Sequence, residues 1–359
     1  MKHKYRQKDP RQNVMAKATQ EAKSGEATEV KLDFKNRKIL LELDKDSRIS
    51  LSDLGRRVGL SKEVVFHRIN NLVKNGIILR FQAVISTYRL GYQANKLYFK
   101  LQNLNPAVKK QLHDFLMNDQ RVFWIGYCQG RWDLIIAFWA KNSREIGEFE
   151  DELLNRFSMY IQEREFSISR KSIQYNRRWF ITKEMAEQFP GYLEPVEMTF
   201  GEELEPITID KTDVKILQHL AGNARIRISE LSELTKLSPS AIGYRIKQLE
   251  KKKMIAGYKY GLNAHRLGRQ TCKACISFRN LTKKKKNAFI EYCKLKPETQ
   301  NIVLTVGPWD MEIAFDVRNF EEYYLIMNEI QGKFSDIIKG YESVLYASEP
   351  KQSFMPGAK

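Results

Sequence analysis

Shifted against itself by 177 positions, the chain matches without gaps. A duplication of that length constrains the fold more than any other feature, because both halves must build the same units. Ile39-Leu40 meets Ile216-Leu217, Arg48 meets Arg225, Leu54 meets Leu231, Leu60-Ser61 meets Leu237-Ser238, and Arg68-Ile69 meets Arg245-Ile246. Further on, Leu90-Gly91 meets Leu267-Gly268, and Gly130-Arg131-Trp132-Asp133 meets Gly307-Pro308-Trp309-Asp310. The 359 residues are enough for several cores. Between the copies, residues 181–208 hold Pro190-Gly191, Pro195, Pro206 and seven acidic residues, the composition of a connector.

The front of each copy has helical periodicity. Ile39, Leu40 and Leu43, then Leu51, Leu54 and Val58, fall at helical spacings broken by a polar stretch. Gly59-Leu60 ends the second helix, and Ser61 caps a third whose apolar stripe is Val65, Ile69 and Leu72. In copy two Ser238-Pro239 starts the equivalent helix, with Ile242, Ile246 and Leu249 as its stripe. Such a helix-turn-helix (HTH) reads double-stranded DNA by laying its third helix in the major groove. Removing the stripe leaves Lys62, Glu63, Phe66, His67 and Asn70 facing bases in copy one, and Ser240, Gly243, Tyr244 and Lys247 in copy two. Arg68 and Arg245 serve either phosphate contact or packing, and Lys74 and Lys251 stand at the far helix ends. Because the two faces differ, two unlike half-sites are expected, the alternative being that one copy binds DNA weakly.

A formal charge of +18 agrees with a polyanionic partner. The basic opening segment, residues 1–30, reads as a flexible arm without a secretory apolar stretch, so a cytoplasmic protein is expected. No apolar run is long enough to cross a bilayer, and no membrane partner is expected. Cys272 and Cys275 have C-x-x-C spacing but no partner pair, and the five histidines show no metal-ligand spacing. The expectation is therefore no catalytic constellation, no metal and no cofactor.

Leu32-Asp33, Lys38-Ile39-Leu40, Leu60-Ser61, Arg68-Ile69, Gly76-Ile77-Ile78 and Leu90-Gly91 resemble the Lrp/AsnC leucine-responsive regulators. Copy two resembles them more closely, through Ile209-Asp210, Asp213, Lys215-Ile216-Leu217, Leu237-Ser238-Pro239-Ser240-Ala241, Tyr244-Arg245-Ile246 and Leu267-Gly268. The resemblance covers nearly all of both repeats. A typical member looks like one copy that dimerises, so the tandem fusion is the departure.

The back of each copy reads as βαββαβ: strands at 93–101, 121–127, 133–140 and 166–175, with helices at 107–117 and 146–157. That order is the ferredoxin-like sandwich. The expected fold class is α+β, with two winged HTH domains (31–80 and 209–257) alternating with two ferredoxin-like domains (81–180 and 258–350). A connector at 181–208 and a tail at 351–359 complete the chain. The resemblance implies an amino-acid-responsive (RAM) sensing domain. Gly130, Trp132 and Asp133, with Gly307, Trp309 and Asp310, match its Gly-x-x-Asp effector loop, and a plain hairpin turn is the alternative. The two sandwiches are expected to pair within the chain as a pseudo-dimer, open to further homo-oligomerisation. Two rival readings stay open: an enzyme resembling the sirohaem decarboxylases, which share this layout, and a DNA-independent scaffold.

Overall fold

The computed structural model describes residues 29–201 and 205–358. The expected basic arm lies outside the described residues except for Glu29 and Val30.

Three helices open copy one: α1 (Phe34–Lys45), α2 (Leu51–Val58) and α3 (Lys62–Lys74). Each start is capped by a short polar side chain, Asp33, Ser50 and Ser61, which accepts a backbone N–H otherwise left unpaired. Gly55 in α2 lies close under the turn to α3, where a Cβ would stand 2.6 Å from the Leu60 carbonyl oxygen; copy two has Ser232 at this position, and its hydroxyl donates to the Leu237 carbonyl. Leu40, Leu54, Val65 and Leu72 close the core beneath. Copy two repeats the unit with α7 (Lys211–Gly222), α8 (Ile228–Thr235) and α9 (Pro239–Lys251).

The strand that follows each unit finds its partner in the other copy. β1 (Ile78–Ile85) and β7 (Ile255–Leu262) form a two-stranded antiparallel ribbon, with Phe81 opposite Tyr260 and Ala83 opposite Tyr258. The wing is thus one ribbon shared by both HTH units.

The sandwich of copy one is β2 (Gln93–Leu101), α4 (Pro106–Asn118), β3 (Val122–Gly130), β4 (Leu134–Ala140), α5 (Ser143–Phe157) and β5 (Ile161–Tyr175). Copy two supplies β8 (Gln270–Phe278), α10 (Lys283–Leu295), β9 (Thr299–Val306), β10 (Met311–Val317), α11 (Phe320–Lys333) and β11 (Ile338–Gln352). Each element lies 177 residues from its counterpart, apart from one-residue differences at helix and strand ends.

Both sandwiches have the expected βαββαβ order, but their sheets do not remain separate. The strands run β2-β4-β3-β11-β8-β10-β9-β5, and β5 pairs back to β2, so eight strands close into a barrel. Each four-stranded sheet alone would leave two edges unpaired, and the copies cover one another's edges through β3·β11 and β5·β9. Along β2, Leu97 and Phe99 point to the helices outside, packing with Leu112 and Phe149. Lys96 and Tyr98 alternate with them and point inward.

Two segments expected to be plain connections are built into the cores. Residues 181–208 carry α6 (Lys183–Gln188) and β6 (Glu197–Gly201), which extends the sheet beyond β5. Met185 and Tyr192, with Phe180 just before, are buried against the first HTH unit. Met355 in the expected tail is likewise buried against the second. The physical reason is the same in both: a few large apolar side chains inside a polar stretch bury more favourably than they hydrate.

Candidate DNA interface and barrel interior

Helix α3 presents Lys62, Glu63, Phe66, His67, Asn70 and Lys74 to solvent, while Val65, Ile69 and Leu72 are buried. Phe66 is 48% exposed, unusual for a phenylalanine without a covering partner. On α9, Ser240, Tyr244, Lys247 and Lys251 are exposed and Gly243 is half-buried, with Tyr244 at 65%.

Arg68 and Arg245 are half-buried and turned inward onto the first helix of their own unit. Arg68 donates to Asp33 at 2.6 Å and to Asn36 at 3.1 Å. Arg245 donates to Asp210 and Asp213, both at 2.7 Å. Asp33 is pushed up by burial, but Arg68 and the Asn36 N–H outweigh this and hold it below its usual value. These arginines tie the third helix of each unit to its first.

The two HTH units grip each other reciprocally. Arg225 donates to the Ser47 carbonyl at 2.7 Å and the Ile49 carbonyl at 3.2 Å, and Arg48 donates to the Ala224 carbonyl. Ser47 and Ala224 are the same position in the two copies, and their amides reach across to the Tyr258 and Phe81 carbonyls at 3.0 and 2.8 Å. The two recognition helices are therefore carried on one clasped frame.

The loops expected to hold an effector have their polar groups engaged. Asp133 accepts from the Leu101 N–H at 2.8 Å and from Lys100 at 3.1 Å, and Asp310 accepts from the Phe278 N–H at 2.8 Å. Trp132 and Trp309 are buried inside the barrel with Tyr98, Cys128 and Cys275. Gly130 and Gly307 have φ of 111° and 153°, a region that favours glycine.

Above this aromatic plug lies a feature absent from the sequence reading. Lys96 and Lys273, the same position in the two copies, donate to one oxygen of Glu312 at 2.5 and 2.6 Å. Tyr98 and Trp309 donate to its other oxygen. Glu312 is fully buried, yet the two ammonium groups hold its carboxyl well below the usual range. Copy one has Ile135 in the matching place, so one carboxylate serves both lysines.

Above the Glu312 cluster, the barrel mouth opens into a cavity of about 250 Å³ roofed by the β1·β7 ribbon. A second charged cluster stands at its side: Arg177 pairs with Asp44 at 2.8 Å and with Asp316 at 3.6 Å, and Lys259 donates to the Asp44 carbonyl at 2.7 Å. Cys272 and Cys275 face opposite sides of β8, one toward the helices and one into the barrel, and all four cysteines are buried and free. Among the described residues no cluster of His, Cys, Asp or Glu could hold a metal ion, and no helix is long and apolar enough to cross a membrane.

Comparison with known proteins agrees with this geometry. A family model described as winged helix-turn-helix DNA-binding matches residues 32–78 and 209–256. An uncharacterized HTH-type transcriptional regulator of Pyrococcus horikoshii is 32% identical over 120 residues, covering 33% of this chain and 75% of that protein. The proline dehydrogenase transcriptional activator of Rhodobacter capsulatus is 30% identical over 122 residues, covering 34% of this chain and 79% of that protein. Among solved structures, the siroheme decarboxylase NirDL superposes with a TM-score of 0.60 over 90% of this chain and 94% of that chain. At 11% identity that likeness is one of fold alone. The chain belongs to the Lrp/AsnC family of HTH transcription regulators, as a tandem duplication of the helix-turn-helix and ferredoxin-like unit.

Proposed function

We propose that the chain is a sequence-specific regulator that reads one asymmetric DNA site with both recognition helices at once. The reciprocal clasp of Arg48 and Arg225 carries this reading, because it holds two exposed recognition faces in fixed relation. The faces differ where bases are read. Phe66 and His67 on α3 correspond to Gly243 and Tyr244 on α9, and Glu63 and Asn70 to Ser240 and Lys247. Two unlike helices on a twofold frame suit two unlike half-sites. Lys74 and Lys251 supply phosphate contacts, so affinity falls with salt.

The test is fluorescence anisotropy of the intact chain on duplexes selected from a random pool, at several salt concentrations. Replacing Lys62 and His67, or Tyr244 and Lys247, is expected to weaken preference at one half-site and leave the other. Absence of any preferred sequence at every salt concentration would refute the reading.

The whole-chain likeness to a siroheme decarboxylase, together with a cavity at the barrel mouth, supports an enzyme as the second reading. The cavity lining counts against it. No histidine, cysteine or methionine borders it, leaving only tyrosines among the usual protein ligands of a tetrapyrrole iron. A Soret shift on adding sirohaem, followed by decarboxylation, would favour the enzyme. An amino-acid effector at the Gly130 and Gly307 loops has weaker support, since Asp133 and Asp310 already accept backbone N–H groups.

A further inference from the structure

The cavity at the barrel mouth is roofed by β1 and β7, floored by the Lys96 and Lys273 ammonium groups, and walled by the inner faces of the barrel strands. Its volume of about 250 Å³ is more than tenfold the ~10–15 Å³ that one water occupies. An eight-stranded barrel is just wide enough to hold one small ligand, and barrel mouths are among the preferred places for one.

The repeat makes the two sides of this cavity comparable position by position, and they differ at four of these positions. One wall is aromatic: Phe123, Trp124, Trp139 and Phe354. The positions 177 residues away are Gln300, Asn301, Asp316 and Arg177, and of these Gln300, Asn301 and Arg177 line the cavity as polar or charged side chains. The chain after β5 covers one side with β6 and the chain after β11 covers the other, so the two sides pack differently. A cavity with an aromatic side and a polar side suits a molecule with a flat apolar end and a polar end.

The sign of the polar end follows from the charges present. Lys96 and Lys273 share the single carboxylate of Glu312. Arg177 and Lys259 face Asp44 and Asp316, and burial pushes the Asp316 carboxyl above its ordinary value. Arg80 adds a further cation, bonded through its terminal nitrogen to neutral Gln352 at 2.9 Å, with its Nε unpartnered. Glu349 borders the cavity as well, beside Arg80 and Lys273, and burial pushes its carboxyl above the ordinary value. Five cations, Lys96, Lys273, Arg177, Lys259 and Arg80, thus stand among four carboxyls, Glu312, Asp44, Asp316 and Glu349. Tyr346 and Ser169 line the same space, and each buries a hydroxyl without a hydrogen-bond partner. Buried polar groups are ordinarily paired, so a cluster of orphans around one cavity marks a site built for a guest.

We infer that this cavity binds a small aromatic or heteroaromatic monoanion, its ring against Trp124, Trp139 and Phe354 and its carboxylate toward Arg80, Lys96 and Lys273. An α-amino acid fits less well, because its ammonium group would enter a field already rich in cations. The binding step stands apart from the DNA reading. Its consequence does not: a guest touching both the barrel and the ribbon that carries the HTH units shifts DNA affinity to the extent that it prefers one ribbon position.

Isothermal titration calorimetry of the intact chain without DNA tests the proposal, using indole-3-acetate, its neutral analogue indole-3-acetamide, and tryptophan. The expected result is one indole-3-acetate per chain, bound at least tenfold more tightly than either of the others. Arg80→Gln, which removes a cation, and Ala137→Phe, which fills the cavity from β4, are each expected to weaken it at least tenfold. Circular dichroism establishes that the variants fold. If neither folds, the ranking of the three ligands on the unaltered chain decides alone. Equal affinity for acetate and acetamide, no binding of either at millimolar concentration, or undiminished binding to a folded Ala137→Phe variant would overturn the proposal. DNA selection on the unliganded chain separates such a failure from failure of the regulator reading.

Discussion

Gln82 and Lys259 stand directly opposite one another in the β1·β7 ribbon, and they are the same position in the two repeats. The pseudo-twofold axis of the molecule therefore passes between them. Both are nearly buried, with Lys259 tied to the Asp44 carbonyl at 2.7 Å. The axis that relates the two recognition helices thus runs through a pair that is itself asymmetric, neutral on one strand and cationic on the other. Restoring the symmetry with Gln82→Lys would place two ammonium groups face to face on adjacent strands. It is expected to destabilise the chain by at least ~1 kcal/mol, read as a lower urea midpoint at unchanged slope.

The clasp makes a separate prediction. Each arginine donates to carbonyls of the opposite HTH unit, and charged hydrogen bonds of this kind contribute about 1.5–3 kcal/mol each. Arg48→Ala combined with Arg225→Ala is expected to lower DNA affinity at least tenfold, while short duplexes carrying one half-site bind nearly as before. Anisotropy titrations on full and half sites separate the two. Equal losses on both would mean that the arginines do not couple the units.

The Glu312 cluster predicts a sign reversal. Glu312→Gln leaves Lys96 and Lys273 buried without their counter-charge and is expected to cost about 3–5 kcal/mol. Replacing the set together, Lys96→Met, Tyr98→Phe, Lys273→Met and Glu312→Ile, restores the apolar choice copy one already makes at Ile135. The combined variant is expected to recover most of that loss in urea unfolding. A combined variant no more stable than Glu312→Gln would contradict the electrostatic account.

Glu42 carries a pH dependence. Burial raises its pKa, but hydrogen bonds from Arg57, Lys45 and Tyr192 outweigh burial and set it below the unfolded value of 4.5. A carboxylate whose folded pKa is depressed stabilises the fold fully above the unfolded pKa, and that stability is lost as pH falls through the folded value. Stability of the first HTH unit is therefore expected to drop below pH 4.5. Glu42→Gln should flatten that acid limb in circular dichroism melts. An unchanged slope would mean that Glu42 is not the group titrating.

What could be read from the residues and what could not divides along the range of the contacts. The helix-turn-helix units were legible because their signals are local: Ser61 before a Val65, Ile69, Leu72 stripe, and Gly59 in the left-handed region at φ 68°. The strand order within each sandwich was legible for the same reason. Barrel closure was not, since β3·β11 and β5·β9 join residues from different copies, and no periodicity encodes which edges meet. Lys96 and Lys273 did leave a trace, matching charges at inward positions of equivalent strands. Their meaning depended on Glu312 standing where copy one has isoleucine. Phe180, Met185 and Tyr192 were hidden by the acidic residues around them, and composition averaged over the stretch concealed three buried anchors. The role of Arg68 and Arg245, open between phosphate contact and packing, needed the positions of Asp33 and Asp210 to describe it.

The central claim is that two unlike helices on one frame read one site together. The most direct measurement is selection from random duplex DNA, run in parallel on the unaltered chain and on a variant whose second face is converted to the first by Ser240→Glu, Gly243→Phe, Tyr244→His and Lys247→Asn. The account predicts two unlike half-sites at constant spacing for the unaltered chain, and a palindrome of the first half-site at that same spacing for the variant. The same motif from both chains, or enrichment of isolated half-sites without fixed spacing, would contradict it.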